Sequence, residues 1–241
     1  MKKISIALLI GLLGLVACQK DNYPGPDATI HGRFLDAKTG ALVGTDIQNG
    51  NSIKVVEQGF EGHSQTQTWN VKNTGEWRNN LVFSGKYDVT LENGNFFPMK
   101  EELVVNPGDN EKDFTVTPYL RIINPSITKS GDVVTATFSL EAGRSDVKVN
   151  SVRLFGFSDM WVGNNVCYQT TGEGNPDRKS LGNVAVDGTT YTLTINTKDD
   201  FNKAYYKYTG KNYYFRIGAL ASVSDVGTVR HNYSDLVVIK F

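Results

Sequence analysis

Thiols, imidazoles and long apolar runs are scarce in this chain, and each shortage closes off a class of chemistry. Cys18 and Cys167 are the only cysteines among 241 residues. With either one otherwise engaged, no intramolecular disulfide can form and the fold has to rest on its core. The three histidines, His31, His63 and His231, are spread through the sequence, whereas metal sites usually need clustered imidazole or thiolate ligands. They read as structural or surface residues, and no metal or cofactor is expected. No Gly-x-Ser-x-Gly elbow is present to expose a nucleophilic serine, and no loop has the alternating oxygen ligands of a calcium site. Gly172-Glu173-Gly174 lacks the third glycine and the lysine of a phosphate cradle and reads as a plain loop. The 25 basic and 25 acidic side chains cancel, with no run of Lys or Arg to neutralise phosphates, which argues against nucleic acid as a partner. Beyond Val16 no apolar stretch approaches the roughly 20 residues that span a bilayer.

What is present begins at the N-terminus. Lys2 and Lys3 precede an apolar run from Ile4 to Val16 that is too short to span a membrane, and Leu15-Val16-Ala17-Cys18 closes it. This is the layout of an export signal, and its last four residues resemble a bacterial lipobox, which implies a diacylglyceryl group on the Cys18 sulfur and removal of residues 1–17. Multiple acyl chains anchor stably where one does not. Processing leaves 224 residues, with 23 basic against 25 acidic side chains because Lys2 and Lys3 are lost. Residues 18–27 carry two prolines and a glycine and little to bury, so they read as an extended tether.

From Thr29 onward the pattern is all-β, with short runs punctuated by glycine, asparagine and proline. Tyr87, Val89 and Leu91 alternate with Asp88 and Thr90 ahead of an Asn93-Gly94 turn. Leu103 to Val105 is closed by Asn106-Pro107-Gly108-Asp109, and Phe114 and Val116 complete a first set of strands. A second set follows Asn124-Pro125, with Val134, Ala136, Phe138 and Leu140 on one face. Val147 to Phe157, Tyr191 to Ile195, Tyr213 to Ala221 and Leu236 to Phe241 supply further strands. Proline restricts its predecessor and removes a ladder donor, which places the junction within 118–125. The expected architecture is two tandem β-sandwiches, residues 28–118 and 119–241. One helical piece is expected, Lys198 to Tyr208, capped by Thr197 with Asp199 and Asp200 in its first turn.

Ile30 to Gly40 followed by Leu42-Val43, with Gly85-Lys86-Tyr87-Asp88-Val89 later, resembles the opening and a later strand of carboxypeptidase-regulatory-like or transthyretin-like sandwiches. Tyr213 to Ala219 and Tyr233-Ser234 resemble the last strands of a fibronectin-type-III or immunoglobulin-like domain. With the lipobox and tether, the whole chain resembles a two-domain outer-membrane lipoprotein family of Bacteroidota, often encoded with SusC/SusD-type glycan uptake systems. The resemblance implies a cell-envelope role beside a glycan importer, with SusC/SusD-like proteins as partners, and carries no catalytic motif. Lys20-Asp21 after Cys18 is weakly similar to the surface-export signal of such lipoproteins, which implies display on the cell surface, the alternative being the periplasmic face.

Sugars pack flat C–H faces on aromatic rings and need planar amides to replace water at their hydroxyls. Trp161 and Tyr168, with Asn164, Asn165 and Gln169, fall in one polar glycine-containing stretch and form the first candidate glycan platform. Trp77, flanked by Glu76, Arg78, Asn79 and Asn80, offers a second, and Tyr205, Tyr206 and Tyr208 a third. An inward tryptophan closing a sandwich core is the competing reading for Trp161 and Trp77, and Trp69, alternating with Val71, reads as core. Glu101-Glu102 and Asp199-Asp200 are adjacent acids, but strand neighbours point to opposite faces, so adjacency does not build a catalytic pair. The sequence therefore points to non-catalytic binding of a neutral glycan. A structural accessory docking on outer-membrane proteins is the alternative, and a carbohydrate-active enzyme the third reading.

Overall fold

The computed structural model describes residues 24–59, 65–169 and 175–241, and it is all-β, without helices among them. The lipobox with Cys18, His63 and the Gly172-Glu173-Gly174 loop lie outside the described residues.

The first unit is a sandwich of two four-stranded sheets. In one, β1 (Ala28–Asp36) is central, antiparallel to β4 (Glu76–Val82) and parallel to both β7 (Gly108–Glu111) and β8 (Phe114–Val116). The other has the order β3 (Thr66–Asn70), β2 (Ser52–Glu57), β5 (Gly85–Leu91), β6 (Met99–Val105), all antiparallel. Period-two alternation sorts the side chains: Ile30 and Phe34 on β1 and Tyr87, Val89 and Leu91 on β5 face inward. They meet Trp69, Trp77 and Phe114 in one apolar core. Gly32 lets the β7–β8 link cross close to β1, since a Cβ there would lie 1.7 Å from the Lys112 carbonyl oxygen. That approach allows the Lys112 N–H to donate to the His31 carbonyl at 2.8 Å.

The second unit holds a three-stranded sheet of β13 (Tyr191–Asn196), β10 (Val133–Ala142) and β9 (Leu120–Ser130). Facing it, β12 (Arg178–Ala185), β11 (Lys148–Phe157), β14 (Asn212–Ser222) and β15 (Asn232–Tyr233) form a second sheet, to which β16 (Val237–Lys240) adds along β14. Val134, Ala136, Phe138 and Leu140 pack against Leu154, Leu193, Phe215 and Ile217.

Two expectations need correction. Lys198 to Tyr208 is a succession of tight turns, not a helix. The Asn196 and Asp199 side chains accept from the backbone N–H two residues ahead, at 3.0 Å in each case, which is the local bonding that competes with helix. Thr197 donates its hydroxyl to the Asp132 carbonyl instead of capping. Pro125 also does not precede the second strand set, because β9 runs through it. The strand tolerates this because β9 pairs only with β10, and their register shifts between Thr137 and Ser139, opposite Asn124-Pro125. The changeover between units falls at residues 117–119, between β8 and β9.

Candidate functional site

The segments after β1 and after β11 meet across the two units, and their contacts are polar and buried. Asp46 accepts the Tyr233 hydroxyl at 2.7 Å with one carboxylate oxygen and the Asn164 N–H at 2.7 Å with the other. Gly163 makes room for this, since a Cβ there would stand 2.2 Å from that second oxygen. Arg216 supplies the counter-charge, donating to the Thr45 and Ser234 carbonyls at 3.2 Å each. Its guanidinium lies 4.2 Å from the Tyr233 ring centroid. Burial raises the Asp46 carboxyl above its usual range and lowers the Arg216 guanidinium, with their mutual attraction working against both shifts. Asn95 extends the seam by donating to the Gly44 and His231 carbonyls. Arg121 grips Asp36 with two bonds of 2.6 Å, a bidentate pair between the two units.

The first candidate platform sits on this seam. Trp161 is 38% exposed, and the backbone around it is fixed: the Met160 carbonyl accepts from Asn73 at 2.8 Å and the Gly163 N–H donates to Val166. Asn164 and Asn165 also hold the loop in place. The Asn164 N–H goes to Asp46, and the Asn165 amide donates to the Gln48 carbonyl at 2.7 Å. Both therefore tie the loop to the first unit, and only the exposed amide of Asn164 is left facing outward, 3.5 Å from Asn165. Tyr168 is half-buried with one face covered by Tyr205, ring centroids 4.6 Å apart. Gln169 is exposed and reaches back to the Cys167 sulfur at 3.6 Å, and burial pushes that thiol up.

Trp77 is removed from the candidates. It is 2% exposed and stacks on Trp69 at 5.8 Å and Phe114 at 5.5 Å between centroids, because the alternation of β4 turns it inward. The third patch splits: Tyr206 is core, Tyr205 covers Tyr168, and Tyr208 is exposed. Glu101 and Glu102 diverge to Lys112 and Lys86 respectively, as strand neighbours should.

A concavity of about 490 Å³ opens where the two units meet. Asn49, Ser52, Asn70 and Asn93 line it from the first unit and Arg230 from the second. These residues come from separate loops and strand ends, so no spacing in the sequence brings them together. The only legible signal is a density of asparagines at strand ends.

His231, between Arg230 and Asn232, has its imidazole pushed down to about 4 by burial, with Arg153 adding to the shift. The unfolded chain then takes up the proton first, so stability is lost as pH falls from about 6.5 toward 4. A loss on the order of 2–3 kcal/mol is expected over that window. Urea unfolding at several pH values should show it, and His231→Gln should flatten that segment of the profile. An unchanged profile in the variant would remove His231 as its cause.

The family model described as "Protein of unknown function (DUF3823) N-terminal domain" matches residues 28–117. "Domain of unknown function (DUF3823_C)" matches residues 120–237. A solved structure from Bacteroides uniformis, named as a candidate carbohydrate-binding protein, is 53% identical, with a TM-score of 0.83 over 90% of this chain and 100% of that one. A DUF3823 family protein from Parabacteroides merdae is 19% identical, with a TM-score of 0.69 over 90% of this chain and 100% of that one, and shares the fold. No curated protein matches the chain.

Proposed function

The chain belongs to the two-domain DUF3823 family, and from that footing we propose that it is a non-catalytic oligosaccharide-binding protein of the cell envelope. In this reading it is held to the outer membrane by lipid on Cys18 and presents glycan to a SusC/SusD-like uptake system. The carrying observation is Trp161, a large aromatic left exposed on a loop whose backbone is bonded to the first unit on either side of it, at Met160 and Asn164. A preorganised ring gives a sugar face a stacking partner without an ordering cost. The 53% identical relative named for carbohydrate binding supports the same reading.

The test is a glycan array probed with residues 19–241, followed by calorimetry on the hits. A stacking aromatic contributes about 1 kcal/mol or more beyond area burial, so Trp161→Ala should weaken binding roughly tenfold with the fold intact. Unchanged affinity would take Trp161 out of the site, and cleavage of a bound glycan would replace binding with catalysis. The docking alternative has one observation in its favour. Leu81 is 75% exposed, with Phe83 and Val104 also exposed at the end of the first sandwich where the chain enters at Asp27. No binding across a broad array would favour that reading.

A further inference from the structure

We infer that the Arg230 cleft takes an acidic sugar, with the guanidinium pairing a uronate carboxylate and the surrounding amides taking its hydroxyls. The inference rests on the oligosaccharide reading and adds to it a ligand class and a second contact region.

The cleft is a cationic pocket with no anion of its own. Arg230 is held by its backbone, whose N–H donates to the Gly94 carbonyl at 2.9 Å. Among the described residues its side chain is left unspent: Nε is buried with no hydrogen-bond partner, and no acid forms an ion pair with it. A buried donor without an acceptor is costly, and a guanidinium fork without a carboxylate in its pocket is suited to one arriving on a ligand. None of the lining residues is acidic.

The remaining groups suit hydroxyls. Ser52 and Asn70 are directly opposite in the β2–β3 ladder, which sets both side chains on one face about 5 Å apart. Ile53 and Trp69, the next pair, turn inward to the core. Asn93 spends its oxygen on the Thr228 N–H at 2.8 Å, leaving its NH₂ to donate. Asn49 is exposed in a left-handed turn, φ 55°. The cleft wall is also bonded to the aromatic loop, because Asn165 donates to the carbonyl of Gln48, between Ile47 and Asn49. A chain of sugars stacking on Trp161 can thus be met by a second contact region on the same seam.

The experiment compares oligomers of galacturonate, glucuronate and mannuronate with their carboxyl-reduced neutral counterparts and with a sulfated neutral oligosaccharide, by calorimetry on residues 19–241. At least one uronate should bind tenfold or more tighter than its reduced counterpart, and that margin should shrink as salt rises from about 0.05 to 0.5 M. Arg230→Gln should abolish the margin, a loss of about 10- to 100-fold for the acid, read against the same variant's affinity for the reduced oligomer. Arg230→Lys should restore part of it. Asn70→Asp, at an exposed position, should repel the acid selectively. Equal affinity for acidic and reduced forms, or a margin that survives Arg230→Gln, overturns the uronate assignment while the glycan reading stands. A preference for the sulfate ester over every uronate also overturns it. Binding of no glycan at all removes both readings together.

Discussion

Asp46→Ala lowers the unfolding free energy by about 3–5 kcal/mol, the usual cost of removing one member of a buried charged network. Two donors lose their acceptor at once, the Tyr233 hydroxyl and the Asn164 N–H, and Arg216 loses an opposite charge. Arg216 is only 4% exposed and would keep Asp235 alone as an acidic partner. Asp46→Asn separates charge from bonding. Because burial raises the Asp46 carboxyl, its contribution is present at low pH and lost as pH rises through the folded value. Removing the charge at neutral pH therefore sheds a desolvation cost while one acceptor remains, and the asparagine variant should lose about 1 kcal/mol. Urea titrations at pH 7, followed by signals from both units, provide the measurement. The alanine variant should also separate one cooperative transition into two. An alanine loss below about 1 kcal/mol, or a single transition in every variant, would mean that the seam does not couple the units.

The second large effect is at Trp77. Trp77→Ala should cost about 3–5 kcal/mol through the cavity it opens, since the ring is sandwiched between Trp69 and Phe114. Its indole N–H is buried without an acceptor among the described residues, so Trp77→Phe gives up a polar group that is already unsatisfied and should recover most of the loss. Glycan affinity of the folded fraction should not change in either variant, in contrast to Trp161→Ala. Denaturant midpoints read beside calorimetry distinguish the two tryptophans, and a selective loss of glycan binding in Trp77→Phe would return that residue to the site.

Alternation made much of the fold legible: Tyr87, Val89 and Leu91, or Val134, Ala136 and Phe138, declare both a strand and its inward face. β7 could not be read this way, because Gly-Asp-Asn-Glu has no apolar alternation and becomes a strand only by adding to the parallel edge of β1. The turns at 197–208 carry helix-compatible spacing, but side-chain bonding by Asn196 and Asp199 decides the backbone. At the candidate site, composition singled out the loop around Trp161 but not the destination of its amides. Asn164 and Asn165 look the same in sequence whether they face a sugar or another part of the chain. Trp77 was undecidable because tryptophan suits a core and a platform equally. Arg230 was invisible, since its neighbours arrive from three separate segments and its informative property, a donor without an acceptor among the described residues, exists only in three dimensions.

The placement of β1 has a mechanical consequence. The chain enters the first sandwich at Ala28, on β1, and leaves it at Val116, on β8, and these two strands are parallel neighbours bonded from Phe34–Phe114 to Asp36–Val116. Tension applied between the two ends of this unit pulls the pair in opposite directions along their common axis. The bonds then share the load and must rupture together instead of peeling one by one, as they would at the open end of a hairpin. Beyond β1, Arg121 passes the load across the seam through Asp36. If the chain is tethered through Cys18 and holds a polymer, as proposed above, the first sandwich would serve as a strut that resists being drawn out.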